Sequence, residues 1–503
     1  MTRRPALPRE RSPQARLGAL YLVASASLFV TFFSATSRPR ELLAQPPPAA
    51  APLAADPLAA APSAPEFTGS LRTQFTNQLR ARAAEERAAI LRELGRYPDP
   101  EATRLLVQYG LRDRASSVYQ AAAEALTASR GAAPVDAFLL ELFRDELSAS
   151  KRPYPDFARR LALVVANRRS AVAWHELTRR ALQSHADERD LCLDALLMSI
   201  DQAAADRDLG VLPHLATLSR TPLFAYSHGC RKCLLDAVCQ LDASAGLGLL
   251  IECLPKIDGE LRGDVVEYLS RATGQKWADD SAAWQRWLRQ EQARLVEAGR
   301  TNPDAEETPP RLTAGAPRVA NPGAPLYYYD LPVRANRVVF VLDVSKSMGL
   351  GGASSRLAAA QRELVKTLET LPEETMFNVI VFEAQATALA ERLQPATPAM
   401  RAHAVRFVRN QRAQGKTATY DALHQALTAV PEPEVVYLLS DGMPSVGAVV
   451  APDKVLQSIQ LLNRTRRIKV HALGTLAGPQ DAAFGDFLRQ LAEHNYGEFR
   501  RLE

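Results

Sequence analysis

Cysteine is scarce in this 503-residue chain, with five in all. So few thiols exclude a disulfide-stapled scaffold, which needs far denser pairing. Cys192, Cys230, Cys233, Cys239 and Cys253 fall in one helical-looking region, and their odd number leaves at least one without a partner in the chain. "HGCRKC" sets His228 beside Cys230 and Cys233, which is half the ligand set of a zinc site. Zinc wants four placed ligands, and no second CxxC or His pair follows. Small buried core residues are therefore the expectation, with a single disulfide left open.

A basic folded face is also missing. The net charge is +5, yet residues 1–16 hold five arginines and one glutamate, which is +4, so about +1 remains for everything after them. Nucleic-acid binders carry their excess on a folded surface, and that class is set aside. Nucleotide loops are incomplete as well. "GLGGAS" has Gly349 and Gly351, but Ser354 stands where a dinucleotide fingerprint needs its third glycine. "GKT" at 415–417 resembles the end of a phosphate-binding loop, but Asn410 replaces the glycine required five places earlier.

What is present begins with an uncharged run, "LGALYLVASASLFVTFFSATS", at 17–37. A helix needs roughly 20 apolar residues to cross a bilayer, and this run is long enough. The basic tail at 1–16 places the N-terminus in the cytoplasm. An uncleaved single-pass anchor is the expectation, and Ala35-Thr36-Ser37 keeps a cleaved signal peptide open. Either reading exports the rest of the chain, to the periplasm or cell surface or as a secreted protein. Residues 38–66 alternate proline and alanine, cannot build a core, and read as an extended tether.

From 70 to 290 the pattern is helical. Apolar helix cores start at 119, 157, 192, 233 and 264, a spacing of 31 to 41 residues. Such a period predicts an α-solenoid in which each helix pair covers its neighbour's apolar face. The stretch resembles HEAT-type repeats. Trp277, Trp284 and Trp287 are placed to close the last repeat by burying aromatic faces. Residues 296–325 have no hydrophobic period and read as a second linker.

After position 327 strands and helices alternate. Strands are predicted at 337–344, 376–383, 434–440, 468–474 and near 497–502, and helices near 354–371, 397–411, 418–430, 451–466 and 481–495. Apolar runs such as "VVFVLDV" and "VVYLL" between amphipathic helices indicate a mostly parallel, doubly wound sheet, covered on both faces. Such folds bind ligands beyond the carboxyl ends of their strands. Asp343 closes the first strand, with Ser345 and Ser347 after it at two-residue spacing. Thr417 precedes a helix in "GKTATYDAL", and Asp441 closes another strand in "VVYLLSDGMP". Two carboxylates and three hydroxyls are all hard oxygen donors, a set that suits Mg²⁺ or Mn²⁺ and also admits Ca²⁺.

These residues carry a resemblance. Asp-x-Ser-x-Ser at 343–347, Thr417 after a glycine turn, and Asp441 in a strand-end "DG" resemble a von Willebrand factor type A (VWA) domain with a metal-ion-dependent adhesion site. The resemblance covers 327–503. It implies a Rossmann-like fold with Asp343, Ser345, Ser347, Thr417 and Asp441 as metal ligands. The family often has Gly-Gly-Thr where this chain has Gly415-Lys416-Thr417, so Lys416 either crowds the loop or adds a positive charge. Three neutral hydroxyls among five donors under-neutralise a divalent cation, leaving it an appetite for one more anionic oxygen. The implied function is metal-dependent binding of a protein that presents an acidic residue, by an envelope-anchored chain with its helical repeats as a second surface. A metal-dependent hydrolase and a scaffold stabilised by its metal are the alternatives. His403 and His424 fall in predicted helices, and no histidine motif accompanies the five donors.

Overall fold

The computed structural model describes residues 66–80, 83–150, 154–183, 186–241, 244–301, 326–351, 355–476 and 481–502. The basic tail, the apolar run at 17–37, the tether apart from Glu66, and positions 302–325 of the second linker lie outside these residues. Among the described residues no helix is long and apolar enough to cross a membrane.

The first part of the chain is helical. Its helices are α1 (Gly69–Leu79), α2 (Ala84–Leu94), α3 (Pro100–Leu106), α4 (Ser116–Ala128), α5 (Ala133–Ala149), α6 (Asp156–Asn167) and α7 (Ala171–Ala181). They continue as α8 (Ala186–Ala205), α9 (Leu212–Leu218), α10 (Pro222–Tyr226), α11 (His228–Leu241), α12 (Ser244–Cys253), α13 (Gly259–Thr273) and α14 (Ser281–Thr301). Local chemistry sets several starts. Asp99 accepts from the amides of Glu101 (2.7 Å) and Ala102, with Pro100 filling the first helical position. α14 runs on to Thr301, into the stretch read as linker. No proline interrupts 291–301, and the first one is Pro303.

These helices stack in two rows. α2, α4, α6, α8, α11 and α13 pack successively on one another, and α9, α12 and α14 do so in the other row. The five apolar cores predicted at 31- to 41-residue spacing lie in α4, α6, α8, α11 and α13, all in the first row. Polar pairs repeat at the same interval. Arg92–Glu124, Arg144–Glu176 and Arg220–Glu252 join residues 32 apart, and Arg112–Glu146 joins residues 34 apart. Arg92–Glu124 and Arg220–Glu252 are exposed at both ends and add little stability, whereas Glu176 is buried; all four pairs mark the register from one helix pair to the next. Trp284 is fully buried at the end of the stack, its ring 4.9 Å from Trp277 and edge-on to it.

The second part begins with a hairpin, β1 (Tyr327–Tyr328) and β2 (Leu331–Pro332), which the sequence pattern does not reveal. The sheet follows as β3 (Arg337–Asp343), β4 (Met376–Phe382), β5 (Ala386–Ala388), β6 (Gln394–Pro395), β7 (Val435–Ser440), β8 (Lys469–Thr475) and β9 (Phe499–Leu502). Its helices are α15 (Arg356–Thr370), α16 (Pro398–Arg409), α17 (Thr419–Leu427), α18 (Pro452–Asn463) and α19 (Ala482–Glu493). The strand order is β5-β4-β3-β7-β8-β9. β4, β3, β7, β8 and β9 are parallel, while β5 and β6 pair antiparallel with β4 at the edge. Alternation along β3 divides the core. Val338, Phe340 and Leu342 pack with α15 and α16, whereas Val339 and Val341 pack with α17, α18 and α19. Chain order reverses at β3, whose two neighbours are β4 and β7, so the ligand-binding crevice of a doubly wound sheet lies beyond the ends of β3 and β7.

The helical stack meets the opposite edge of this sheet. Glu434, just before β7, is buried, pairs with Arg337 at 2.9 Å and accepts from the Glu260 amide at 3.2 Å. Lys469, which opens β8, reaches Glu260 (2.7 Å) and Asp264 (2.8 Å), and Arg467 forks onto Asp201. A Cβ on Gly229 would lie 1.9 Å from the Thr465 carbonyl oxygen, so α11 touches the backbone before β8 directly. All of these contacts sit at strand amino ends.

Candidate metal centre

β3 is apolar almost throughout, and its burial carries Asp343 to a position with no exposed surface. One carboxylate oxygen of Asp343 accepts from the Ser345 amide at 2.7 Å, and the other from the Ser440 hydroxyl at 2.6 Å. Its donors are neutral. Burial pushes the Asp343 pKa up to about 6, against the hydrogen bonds from Ser440 and Ser345, with Asp441 adding to the rise. Taking a carboxylate out of water costs free energy unless a cation or full hydrogen bonding compensates it.

Ser345 is extended and leads into a 3₁₀ turn, Lys346–Gly349, which the two-residue spacing of the serines does not reveal. The turn has a packing cause: Met348 is fully buried and draws the chain inward, and its amide donates to the Ser345 carbonyl at 3.1 Å. The turn brings the Ser345 and Ser347 hydroxyls to 3.2 Å. Ser347 in turn donates to Asp441 at 2.6 Å. The second Asp441 oxygen accepts from Arg356 at 2.8 Å, a guanidinium on the first residue of α15.

Thr417 is placed through its backbone. Its amide donates to the Ser445 hydroxyl at 3.0 Å, its carbonyl accepts from the Ser445 amide at 2.9 Å, and the Gln414 amide reaches the Val344 carbonyl at 2.9 Å. These bonds hold the 414–418 loop against the loops that follow β3 and β7. Thr417 is buried, and among the described residues its hydroxyl makes no hydrogen bond to the other four. The structure therefore joins Asp343, Ser345, Ser347 and Asp441 in one polar network and sets Thr417 beside it.

Two members of this network are not legible as site residues in the sequence. Ser440 is the polar residue that closes an otherwise apolar strand, which is a weak signal. Arg356 opens a helix, where the macrodipole disfavours a cation, and that misfit is the sequence trace of its acidic partner. His403 and His424 are exposed on α16 and α17.

The cysteines are free, and all except Cys239 are fully buried. Burial pushes the Cys192 and Cys230 thiols up to about 12. Among the described residues no three His, Cys, Asp or Glu side chains gather at metal-binding spacing, so "HGCRKC" does not assemble a zinc site. The strand-end cluster differs in kind, having two carboxylates and three hydroxyls. A buried carboxylate with only neutral donors, beside hydroxyls from the next turn and a second carboxylate, fits a hard divalent cation.

Residues 338–443 match the family model described as von Willebrand factor type A domain. Inter-alpha-trypsin inhibitor heavy chain H3 from Bos taurus is 29% identical over 188 residues, which are 34% of this chain and 19% of that protein. Human von Willebrand factor A domain-containing protein 3A is 30% identical over 169 residues, 33% of this chain and 13% of its own length. The chain thus spans less than a fifth of either relative. Among solved structures, a von Willebrand factor type A protein from Catenulispora acidiphila is 20% identical with a TM-score of 0.29, covering 34% of this chain and 40% of that one.

Proposed function

We propose that the VWA domain in the last third of this chain binds a partner protein through a divalent metal held at its β3–β7 edge. The observation that carries this reading is Asp343, a carboxylate with no exposed surface and only neutral hydrogen-bond donors. Asp343, Ser345, Ser347, Thr417 and Asp441 are the proposed ligands for Mg²⁺, with Mn²⁺ and Ca²⁺ as substitutes. When bound, the cation would supply a Lewis-acidic position for an anionic oxygen, and a partner's Asp or Glu is the fitting donor. Asp343 supplies the charge, the two serines supply neutral oxygens on a rigid turn, and Arg356 orients Asp441. The proposed role is binding, because among the described residues no histidine joins the hydrogen-bond network of the donors.

The helical stack is proposed as a HEAT-type solenoid serving as a second interaction surface. The run at 17–37 is proposed to anchor the protein in a cell membrane, with both folded parts outside the cytoplasm. Calorimetric titration of the full chain with Mg²⁺, after treatment with EDTA, tests the metal reading. One equivalent of bound Mg²⁺, lost in Asp343→Ala, is the expected result. Equal Mg²⁺ binding by wild type and Asp343→Ala would overturn it.

A further inference from the structure

The three loops around the candidate centre carry few acidic residues of their own, although Glu383 lies against Gly415 and Asp421 against Gly447. The loops 343–351, 410–418 and 441–450 contain two acidic residues, Asp343 and Asp441, and both are buried in the network already described. The same loops expose Lys346, Arg412 and Lys416. Among the described residues none of these three makes an ion pair. Lys346 lies between the two ligand serines in sequence and Lys416 immediately precedes Thr417, so both charges border the site.

Apolar side chains are exposed on the same rim. Leu350, just past the 3₁₀ turn, is 65% exposed, and Met443, two residues after Asp441, is 36% exposed. Val450, at the end of the third loop, is 38% exposed. A single exposed apolar residue needs no explanation. Here they share the mouth of one site with unpaired cations, which is the composition of a binding surface rather than of a solvated loop. The helical stack docks on the opposite edge of the sheet and does not cover this rim.

From this rim we infer the kind of partner: a protein segment with at least two carboxylates and a large apolar side chain within a few residues of one another. The inference rests on the metal reading of the same site. One carboxylate meets the metal, a second lies against Lys346 or Lys416, and the apolar side chain covers Leu350 and Met443. Methionine suits this role because its unbranched side chain adapts to different shapes. The lysines act over distance, raising the encounter rate and making binding salt-sensitive. A phosphate backbone would satisfy the cations and leave the three apolar side chains unused. The chain beyond residue 16 also carries only about +1, so its net attraction for a polyanion is small.

The test pans a displayed library of randomised linear peptides on the full-length chain in millimolar Mg²⁺, with elution by EDTA. Enriched peptides should carry two or more Asp or Glu residues together with Leu, Ile, Met or Phe. A labelled peptide of that set should bind the double variant Lys346→Glu/Lys416→Glu about tenfold or more weaker, with a flatter salt dependence. Leu350→Ser/Met443→Ser should also weaken it by about tenfold, with the salt dependence unchanged. Calorimetry should show that both double variants still bind Mg²⁺. Peptides without a second acid, unchanged affinity in both double variants, no enrichment on a Mg²⁺-binding chain, or displacement by a single-stranded oligonucleotide would each overturn the inference and leave the metal reading standing. A wild-type chain that binds no Mg²⁺ would remove both.

Discussion

Asp343 and Arg356 show how single residues set the character of the site. Asp343 is buried with neutral partners, so its charge costs stability where no cation compensates it. Asp343→Asn keeps the shape, since an amide can accept from the Ser345 amide and donate to the Ser440 hydroxyl. In EDTA this variant should be as stable as wild type or more so, by on the order of 1 to 3 kcal/mol, and it should lose any Mg²⁺-dependent rise in Tm. A wild-type shift of about 2.7 kcal/mol is expected at a hundredfold excess over Kd. Arg356 partly neutralises Asp441 from the other side. Two unit charges 4 Å apart interact by about 4 kcal/mol at an effective dielectric constant near 20, and solvent reduces this. Arg356→Gln should therefore tighten Mg²⁺ binding by about tenfold, measured by titration. Weaker binding would show that orienting Asp441 matters more than its charge. At this scale the sequence singled out four residues that the structure joins in one network, Asp343, Ser345, Ser347 and Asp441, but not Ser440 or Arg356. Those two meet the site across 97 and 85 residues of chain.

At the scale of elements, the loop that carries Thr417 depends on a glycine. Gly415 has φ +70°, a left-handed conformation, and a Cβ there would lie 1.7 Å from a Glu383 carboxylate oxygen. Gly415→Ala strains the backbone by about 1 kcal/mol and pushes Glu383 aside. Since Thr417 is held by backbone bonds alone, the loop should shift, with Mg²⁺ affinity falling several-fold and Tm changing little. Calorimetry and thermal melts on the same preparation separate the two effects. Most elements were legible beforehand, because apolar periods of two and near 3.6 mark strands and helices directly. The five parallel strands and five helices of the second part fall within a few residues of their predicted bounds. The β1–β2 hairpin and the edge strands β5 and β6 were not legible. They are two or three residues long, too short to show a period.

Across the whole molecule, the helical stack and the sheet are joined by an interface with a buried histidine. His228, on the first turn of α11, is 3% exposed, and neither ring nitrogen has a hydrogen-bond partner. Burial, followed by the nearby charges of Arg231, Arg337, Lys232 and Lys469, holds its pKa down to about 3 from 6.5. Glu432 and Glu434 also border this interface, and burial raises both. Because His228 takes up its proton only when released, its contribution is present above pH 6.5 and is lost as the pH falls from there toward 3. Glu432 and Glu434 act in the opposite sense, so the effect is read as a difference between proteins. Relative to His228→Gln, the wild-type chain should lose about 1.4 kcal/mol per pH unit below 6.5. Urea unfolding at pH 7 and pH 5 measures this, and parallel pH profiles would show that His228 is already charged or solvated.

Sequence alone determined what short-range chemistry controls: the order of elements, the face each presents to a core, the helical period, and the hard-oxygen donors at the strand ends. Only the tertiary structure decided what depends on groups far apart in the chain. It buried Asp343 beside Ser440, tied Asp441 to Arg356, and set the helical stack against the strand amino ends, opposite the candidate centre. Apolar periodicity is written locally because each strand or helix buries its own face. The partner of a polar group is chosen only when the layers close, and the structure gives that choice through pairs such as Lys469 with Glu260, 209 residues apart.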